Sequence, residues 1–288
     1  MKFGILPPYR TGVTADPDWM VAFARRAELV GFESIYVVEH VVVPAGYAQR
    51  YPYSETGRMP LPDACPIPDP LELLAFIAAI TDEIVLATGI LVLPEHNALI
   101  LAKRLATLDA LSKGRMRLGI GVGWMREELE AVGVDFDSRG RRTDELIDAL
   151  RTVWSSDEAT FKGEFFSFER AISKPAPAQA DGIPIHIGGH SKAAARRAGR
   201  VGDGFQPLGL DGDLLAERLD LMRASAVEAG RDPDRIELSL GGLLDLTDAD
   251  AIARAEDQGA HRLVISTREG DLDTLLAQMT EFGEKFIA

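Results

Sequence analysis

The chain contains one cysteine, Cys65, so it can form no internal disulfide and assemble no thiolate metal cluster. A protein this poor in cysteine suits a reducing compartment, and a cytoplasmic location is the expectation. Long apolar runs are equally scarce. No window approaches the roughly 18 apolar residues of a membrane span, and the opening run Met1 to Pro8 is too short for a signal peptide. No targeting segment and no membrane partner is expected. Positive charge is also in deficit, with 31 Lys and Arg against 45 Asp and Glu and a net charge of −14. A nucleic-acid partner is therefore not expected, because duplex binding needs a clustered basic face to displace phosphate counterions. The histidines lack metal-site spacing. The nearest pair, His186 and His190, is interrupted by Gly188-Gly189, and no metal is expected.

What is present is an ordinary globular mixture of 46% apolar and 26% charged residues in 288 positions. That length suits one α/β barrel domain spanning residues 1–288. Short β-branched runs at residues 2–6, 34–38, 84–93, 115–120, 183–187, 204–208, 236–240 and 262–266 alternate with segments of helical periodicity. Asp16-Pro17 and Asp69-Pro70 each place a capping carboxylate before a proline at the first helical position. Further helices are expected over 98–111 and 141–154, and from Ser191, Gly212, Asp248 and Asp271. Eight strands, each followed by a helix, predict a closed (β/α)₈ TIM barrel. Two insertions, about 41–68 and 155–182, exceed ordinary loop length, and the second carries a hairpin pattern across Lys162-Gly163.

Four segments carry candidate chemistry. Glu39-His40 ends the second strand, where barrel geometry aims side chains into the mouth, and a histidine there can exchange protons near neutral pH. The alternate glycines of Gly119, Gly121 and Gly123, around Ile120 and Val122, let a ring or phosphate approach the backbone; a bulge or tight packing explains them equally well. Gly188-Gly189-His190-Ser191 ends the fifth strand and opens a helix. It reads either as a phosphate cradle or as a plain turn capped by Ser191. Thr88-Gly89-Ile90 puts a glycine inside a strand, which suggests unusual backbone or a close neighbour.

Together these segments resemble the luciferase-like monooxygenase superfamily, and more closely its F420-dependent oxidoreductase branch of actinobacterial type. The resemblance rests on the run from Gly31 to His40, the Arg50-Tyr51-Pro52-Tyr53-Ser54 loop, the run from Thr107 to Arg115, the turn from Gly121 to Trp124, and the run from Arg139 to Glu145. It spans residues 6–210, while 211–288 match in pattern alone. It implies a barrel whose deazaflavin or flavin ring lies in the mouth, with His40 catalytic. Glu39, Thr88, Gly89, Ile90, Val122, Gly123, Gly188, Gly189 and Ser191 would line the cofactor site, with a cis peptide at Gly89-Ile90 behind the ring. It also implies a homodimer and coenzyme F420 in preference to FMN; a small organic substrate is expected under the first insertion, where Tyr47, Tyr51, Tyr53 and Arg58 read equally as substrate contacts or as lid packing. Arg50, Arg58, Lys192 and Arg196 are candidates for the acidic tail of F420. An FMN-dependent monooxygenase and a non-catalytic deazaflavin-binding barrel are the alternatives. Trp124 stands where the family's sugar-phosphate dehydrogenases carry a glutamate, which argues against their substrate and their acid/base pair.

Overall fold

The computed structural model describes residues 1–287. In chain order the strands are β1 (Lys2–Leu6), β2 (Ser34–Val37), β3 (Val85–Thr88), β4 (Leu91–Val92), β5 (Met116–Gly121), β6 (Ala159–Lys162), β7 (Ser167–Ala171), β8 (Ile185–Gly188), β9 (Gly204–Gln206), β10 (Glu237–Leu243) and β11 (Arg262–Ser266). The α-helices are α1 (Pro17–Leu29), α2 (Pro70–Ala78), α3 (Ala98–Leu111), α4 (Arg126–Ala131), α5 (Arg139–Ser155), α6 (Lys192–Val201), α7 (Gly212–Glu228), α8 (Ala249–Asp257) and α9 (Leu272–Phe286). Parallel strands run in the order β3-β2-β1-β11-β10-β9-β8-β5, and β5 pairs back onto β3. The sheet thus closes into an eight-stranded barrel, as the alternating pattern predicts.

The caps behave as their residue types require. Asp16 accepts from the amides of Asp18 and Trp19, and Asp69 from those of Leu71 and Glu72, each just ahead of a proline. Strand ends depart from the periodicity where proline or glycine intervenes. The fifth barrel strand starts at Ile185, after Pro184, and the sixth stops at Gln206, before Pro207, which has no N–H to donate. The run expected as one strand over 84–93 divides into β3 and β4 around a cis Gly89-Ile90 peptide, and then enters a 3₁₀ turn over Leu93–Glu95. The hairpin of the second insertion is β6-β7. Residues 41–68 contain no helix or strand.

Apolar residues of the strands and inner helix faces form one continuous core that includes Phe3, Ile35, Leu86, Leu118, Ile185 and Phe205. The amino end of the barrel is closed differently, by ions. Arg262, fully buried at the start of β11, donates to both carboxylate oxygens of Glu33 at 2.8 and 2.9 Å, and to Glu237 and Ser239 at 3.1 Å. Arg117 of β5 donates to the same Glu33 oxygens at 2.6 and 3.2 Å. Burial alone would raise the Glu33 carboxyl, but the two guanidinium groups overcome it and hold its pKa far below the usual range. His186, packed beside Glu237, is kept neutral: burial first, and then the charges of Arg117 and Arg262, lower its pKa to about 3.

Removing Glu33 would take two charge-assisted bonds from the fully buried Arg262 guanidinium and leave Glu237 as its one carboxylate partner. Glu33→Ala should cost about 3 to 5 kcal/mol in denaturant unfolding, and a loss below about 1 kcal/mol would show the network to be dispensable. The pH dependence has two windows. The unfolded chain protonates His186 near pH 6.5, so its share of stability is present above that value and is lost as pH falls toward about 3. Glu33 adds a second loss below about pH 4.3. A His186→Gln variant should lack the upper slope; an unchanged slope would assign it to another group.

Candidate active site at the barrel mouth

The carboxyl end of the barrel is built on close approach between β3-β4 and its neighbours. A Cβ on Gly119 would collide with the Thr88 carbonyl, and Thr88, fully buried, donates its hydroxyl to the Gly119 carbonyl at 2.7 Å. Beyond the cis peptide, the Ile90 side chain occupies the space that side chains at Gly121 and Gly188 would need: their added Cβ atoms would lie 2.7 and 2.6 Å from it. Gly123, with φ +77°, is met by Val92 and Leu129. These glycines therefore admit a strand and the Ile90 side chain, whatever else approaches them. Gly89, Ile90, Val122 and Gly123 are only half-buried, so the rim of this seam stays accessible.

Two carboxylates hold the residues around the seam. Glu39, buried after β2, accepts from the Val92 amide at 2.6 Å and lies 3.0 Å from His96 Nε2. Both of its oxygens are engaged by the protein, and it fastens the segment after the cis peptide to β2. Neighbouring His40 is half-buried, and its Nδ1 lies 2.7 Å from Oε2 of Glu128, a buried residue of α4. The other Glu128 oxygen accepts from the Val42 amide at 3.3 Å. A carboxylate on Nδ1 fixes the imidazole orientation and leaves Nε2 as the nitrogen free for proton exchange. Sequence reasoning identified His40 but missed Glu128 and His96. The acidic start of α4, with Glu127 and Glu128, was the available signal, but nothing in its spacing related it to residue 40.

Over this floor lies a file of aromatic rings. Trp124 contacts His40, Tyr47 and Tyr51 with centroids 6.2, 5.6 and 5.1 Å apart; Tyr53 then joins Tyr51 to His190 at 5.3 and 4.8 Å. All are edge-on, the favoured arrangement for ring quadrupoles. Tyr47, Tyr51 and Tyr53 belong to the first insertion, which is also tied down by the Ala48 amide on Glu127 at 2.9 Å. Arg58 turns outward to Asp63 at 2.8 Å. Trp124 thus supports the aromatic cover.

At the β8-α6 turn the candidates separate. The side-chain position of Gly188 is taken by Ile90, so a branched residue there would strike Ile90. Gly189, with φ +112°, has nothing closer than 3.5 Å to its would-be Cβ. Ser191 caps α6 by accepting from Ala194, which leaves first-turn amides able to receive an anion. Arg218 stands behind the turn, donating to the His190 carbonyl at 2.9 Å, while Lys192 pairs with Glu217 at 2.6 Å. No group of three metal-binding side chains occurs among the described residues, and no helix there is long and apolar enough to cross a membrane. A cavity of about 450 Å³ between α1 and α2, lined by Met20, Pro66, Leu73 and Phe76, lies apart from these groups; its one ionisable residue, Asp16, is the α1 cap.

The model of a family described as luciferase-like monooxygenase matches residues 1–283. An uncharacterized protein of Mycobacterium tuberculosis (strain ATCC 25618 / H37Rv) is 31% identical over 283 residues, covering 95% of this chain and 96% of that protein. An FMNH(2)-dependent dimethylsulfone monooxygenase of Pseudomonas fluorescens is 34% identical over 220 residues, 73% of this chain and 54% of the relative. Among solved structures, an F420-dependent secondary alcohol dehydrogenase in complex with an F420-acetone adduct superimposes with a TM-score of 0.79 at 19% identity, over 99% of this chain and 98% of that one. At that identity the likeness speaks for the fold alone.

The seam yields a direct test. Gly188→Ala should destabilise the protein by about 1 to 3 kcal/mol through overpacking against Ile90. In an Ile90→Ala background that penalty should shrink by at least about 1 kcal/mol. Denaturant melts of the four proteins measure the cycle, and strictly additive penalties would mean that the two positions do not touch.

Proposed function

The chain belongs to the luciferase-like monooxygenase family, and we propose that it is an oxidoreductase that binds a flavin-type ring in the barrel mouth, coenzyme F420 in the leading reading. The observation that carries this is the His40–Glu128 pair, an oriented proton acceptor at the rim of a floor cleared by glycines. The fit to the group is physical. Half-buried Gly89, Ile90, Val122 and Gly123 offer a narrow apolar surface for a planar ring, and Gly189 with the capped start of α6 offers open backbone for a phosphate. Glu39 and Thr88, drawn into the protein's own hydrogen bonds, act in this reading as supports of that surface.

When bound, the ring would supply a two-electron exchange with a small organic substrate. The protein's share is proton handling and enclosure. Glu128 holds the tautomer of His40, whose Nε2 gives or takes the accompanying proton. The aromatic file from Tyr47 to His190 excludes water from above, and Ser191 with the α6 amides anchors the phosphate end. A tail contact falls to Arg50 and Arg196, both exposed, because Arg58 and Lys192 already have carboxylate partners. A second reading, an FMN-dependent monooxygenase, draws on the name of the Pseudomonas relative.

His40→Ala should lower turnover by roughly 10² to 10⁴-fold while leaving cofactor affinity nearly unchanged; full turnover in the variant would reduce His40 to a strand-end structural residue. Parallel titrations with F420 and FMN decide the cofactor. F420 should bind more tightly, with a salt-sensitive increment of roughly 0 to 1 kcal/mol per exposed arginine, and without cofactor-dependent oxygen uptake. Tighter FMN binding with substrate-linked oxygen uptake would reverse the assignment.

A further inference from the structure

Most strand glycines of this barrel are demanded by a close neighbour. At Gly4, Gly119, Gly121, Gly188 and Gly204 an added Cβ would lie 2.7 Å or less from another atom. Gly241 of β10 differs: nothing lies within 4 Å of its side-chain position, its φ is outside the left-handed region, and it is exposed. A glycine weakens a strand unless something must come close to it, and within the chain nothing does. The space faces the inside of the barrel. Gly242 points the other way, toward Ile265 in the core under the helices, while Ser239, two residues before Gly241, accepts from Arg262 inside the barrel.

Strand register surrounds that space with uncharged side chains. Gly241 pairs with Val264, and the next inward position of β11, Ser266, pairs with Leu6. Gly204 pairs with Glu237, which sets Gln206 one inward position before Gly241. Val264 and Tyr36, both buried, pack with Leu6 inside the barrel and floor the space. Gln206 and Ser266 are half-buried, and no hydrogen bond among the described residues engages either side chain. The charged residues on the inner faces of β9, β10 and β11 are Glu237 and Arg262, which lie at the amino end and pair with each other. Gln206 also pairs with Gly188, whose side-chain position Ile90 fills, so the space opens beside the surface offered to the ring. We infer that it is a substrate well for an uncharged organic molecule, whose apolar body covers Gly241 and Val264 and whose carbonyl or hydroxyl oxygen is held by the Gln206 carboxamide and the Ser266 hydroxyl. A carboxylate or phosphate in the same place would lose its water and find no cation. That the occupant is the substrate rests on the proposed flavin-type site.

Cyclohexanone and cyclohexanecarboxylate, alike in shape and different in charge, probe the well by saturation-transfer NMR on the intact protein without cofactor. The ketone should bind and the carboxylate should not. Gly241→Leu fills the space and should raise the Kd of the ketone at least about tenfold; Gln206→Leu, which removes the carboxamide, should raise it as well. Gly241→Ala should melt no lower than the wild type, because no atom stands in the way of its Cβ. Failure of the ketone to bind, equal binding of the carboxylate, unchanged ketone affinity in either folded Leu variant, or a lowered melting temperature in Gly241→Ala overturns the inference. Titrating F420 and FMN into Gly241→Leu separates the well from the cofactor site. Whichever of them the wild type binds should bind this variant within about threefold; loss of that binding would put the ring in the well and overturn the substrate assignment. If the wild type binds neither, the flavin-type reading fails, and the ketone measurement still decides whether the well takes an uncharged ligand.

Discussion

The mouth of this barrel depends on how closely its third strand can approach the fourth and fifth. Gly119 has no side chain because the Thr88 carbonyl fills that space, and Gly121 and Gly188 have none because Ile90 does. A single Cβ at any of these positions would push β3 and β4 outward. Everything placed around the site follows from that contact. With Ile90 seated, Val92 comes within reach of Glu39, the chain turns at Leu93–Glu95, and His96 returns to the same carboxylate. Glu39 is thereby fixed, and His40, one residue later, is presented to Glu128.

The electrostatics divide along the barrel axis. At the amino end, Glu33, Glu237, Arg117, Arg262 and His186 form a dense charge network in which carboxylates are satisfied by guanidinium groups. At the carboxyl end, the carboxylates outnumber the cations available to them, and imidazoles take the place of arginines. The first arrangement resists titration over the neutral range, as a structural plug should.

Much of the fold was legible in the sequence, because strand and helix periods, Asp-Pro caps and terminating glycines act locally. β1, β11 and α3 follow their periodic runs from end to end. The run over 84–93 divided because its apolar composition does not register the break at Gly89-Ile90 between β3 and β4. The site was legible in part. His40 stood out by its place at a strand end, and Ser191 by its capping role, but Glu128 and His96 are tied to the mouth by contacts spanning tens of residues. Gly188 illustrates the limit well: nothing in a glycine pair before a helix shows that Ile90 fills the side-chain space at the first glycine while that at the second stays open.

Under the proposed function, one ligand-binding surface joins the glycine seam, the His40–Glu128 pair and the start of α6 beneath the aromatic cover. Amide hydrogen exchange, compared with and without saturating F420 or FMN, tests it across the whole chain at once. Slowed exchange confined to residues 88–92, 119–124 and 189–194, together with 47–59 of the first insertion, is the predicted result. Protection that instead falls on 244–245 and 268–269, beyond β10 and β11 where barrel phosphates more often bind, would contradict it.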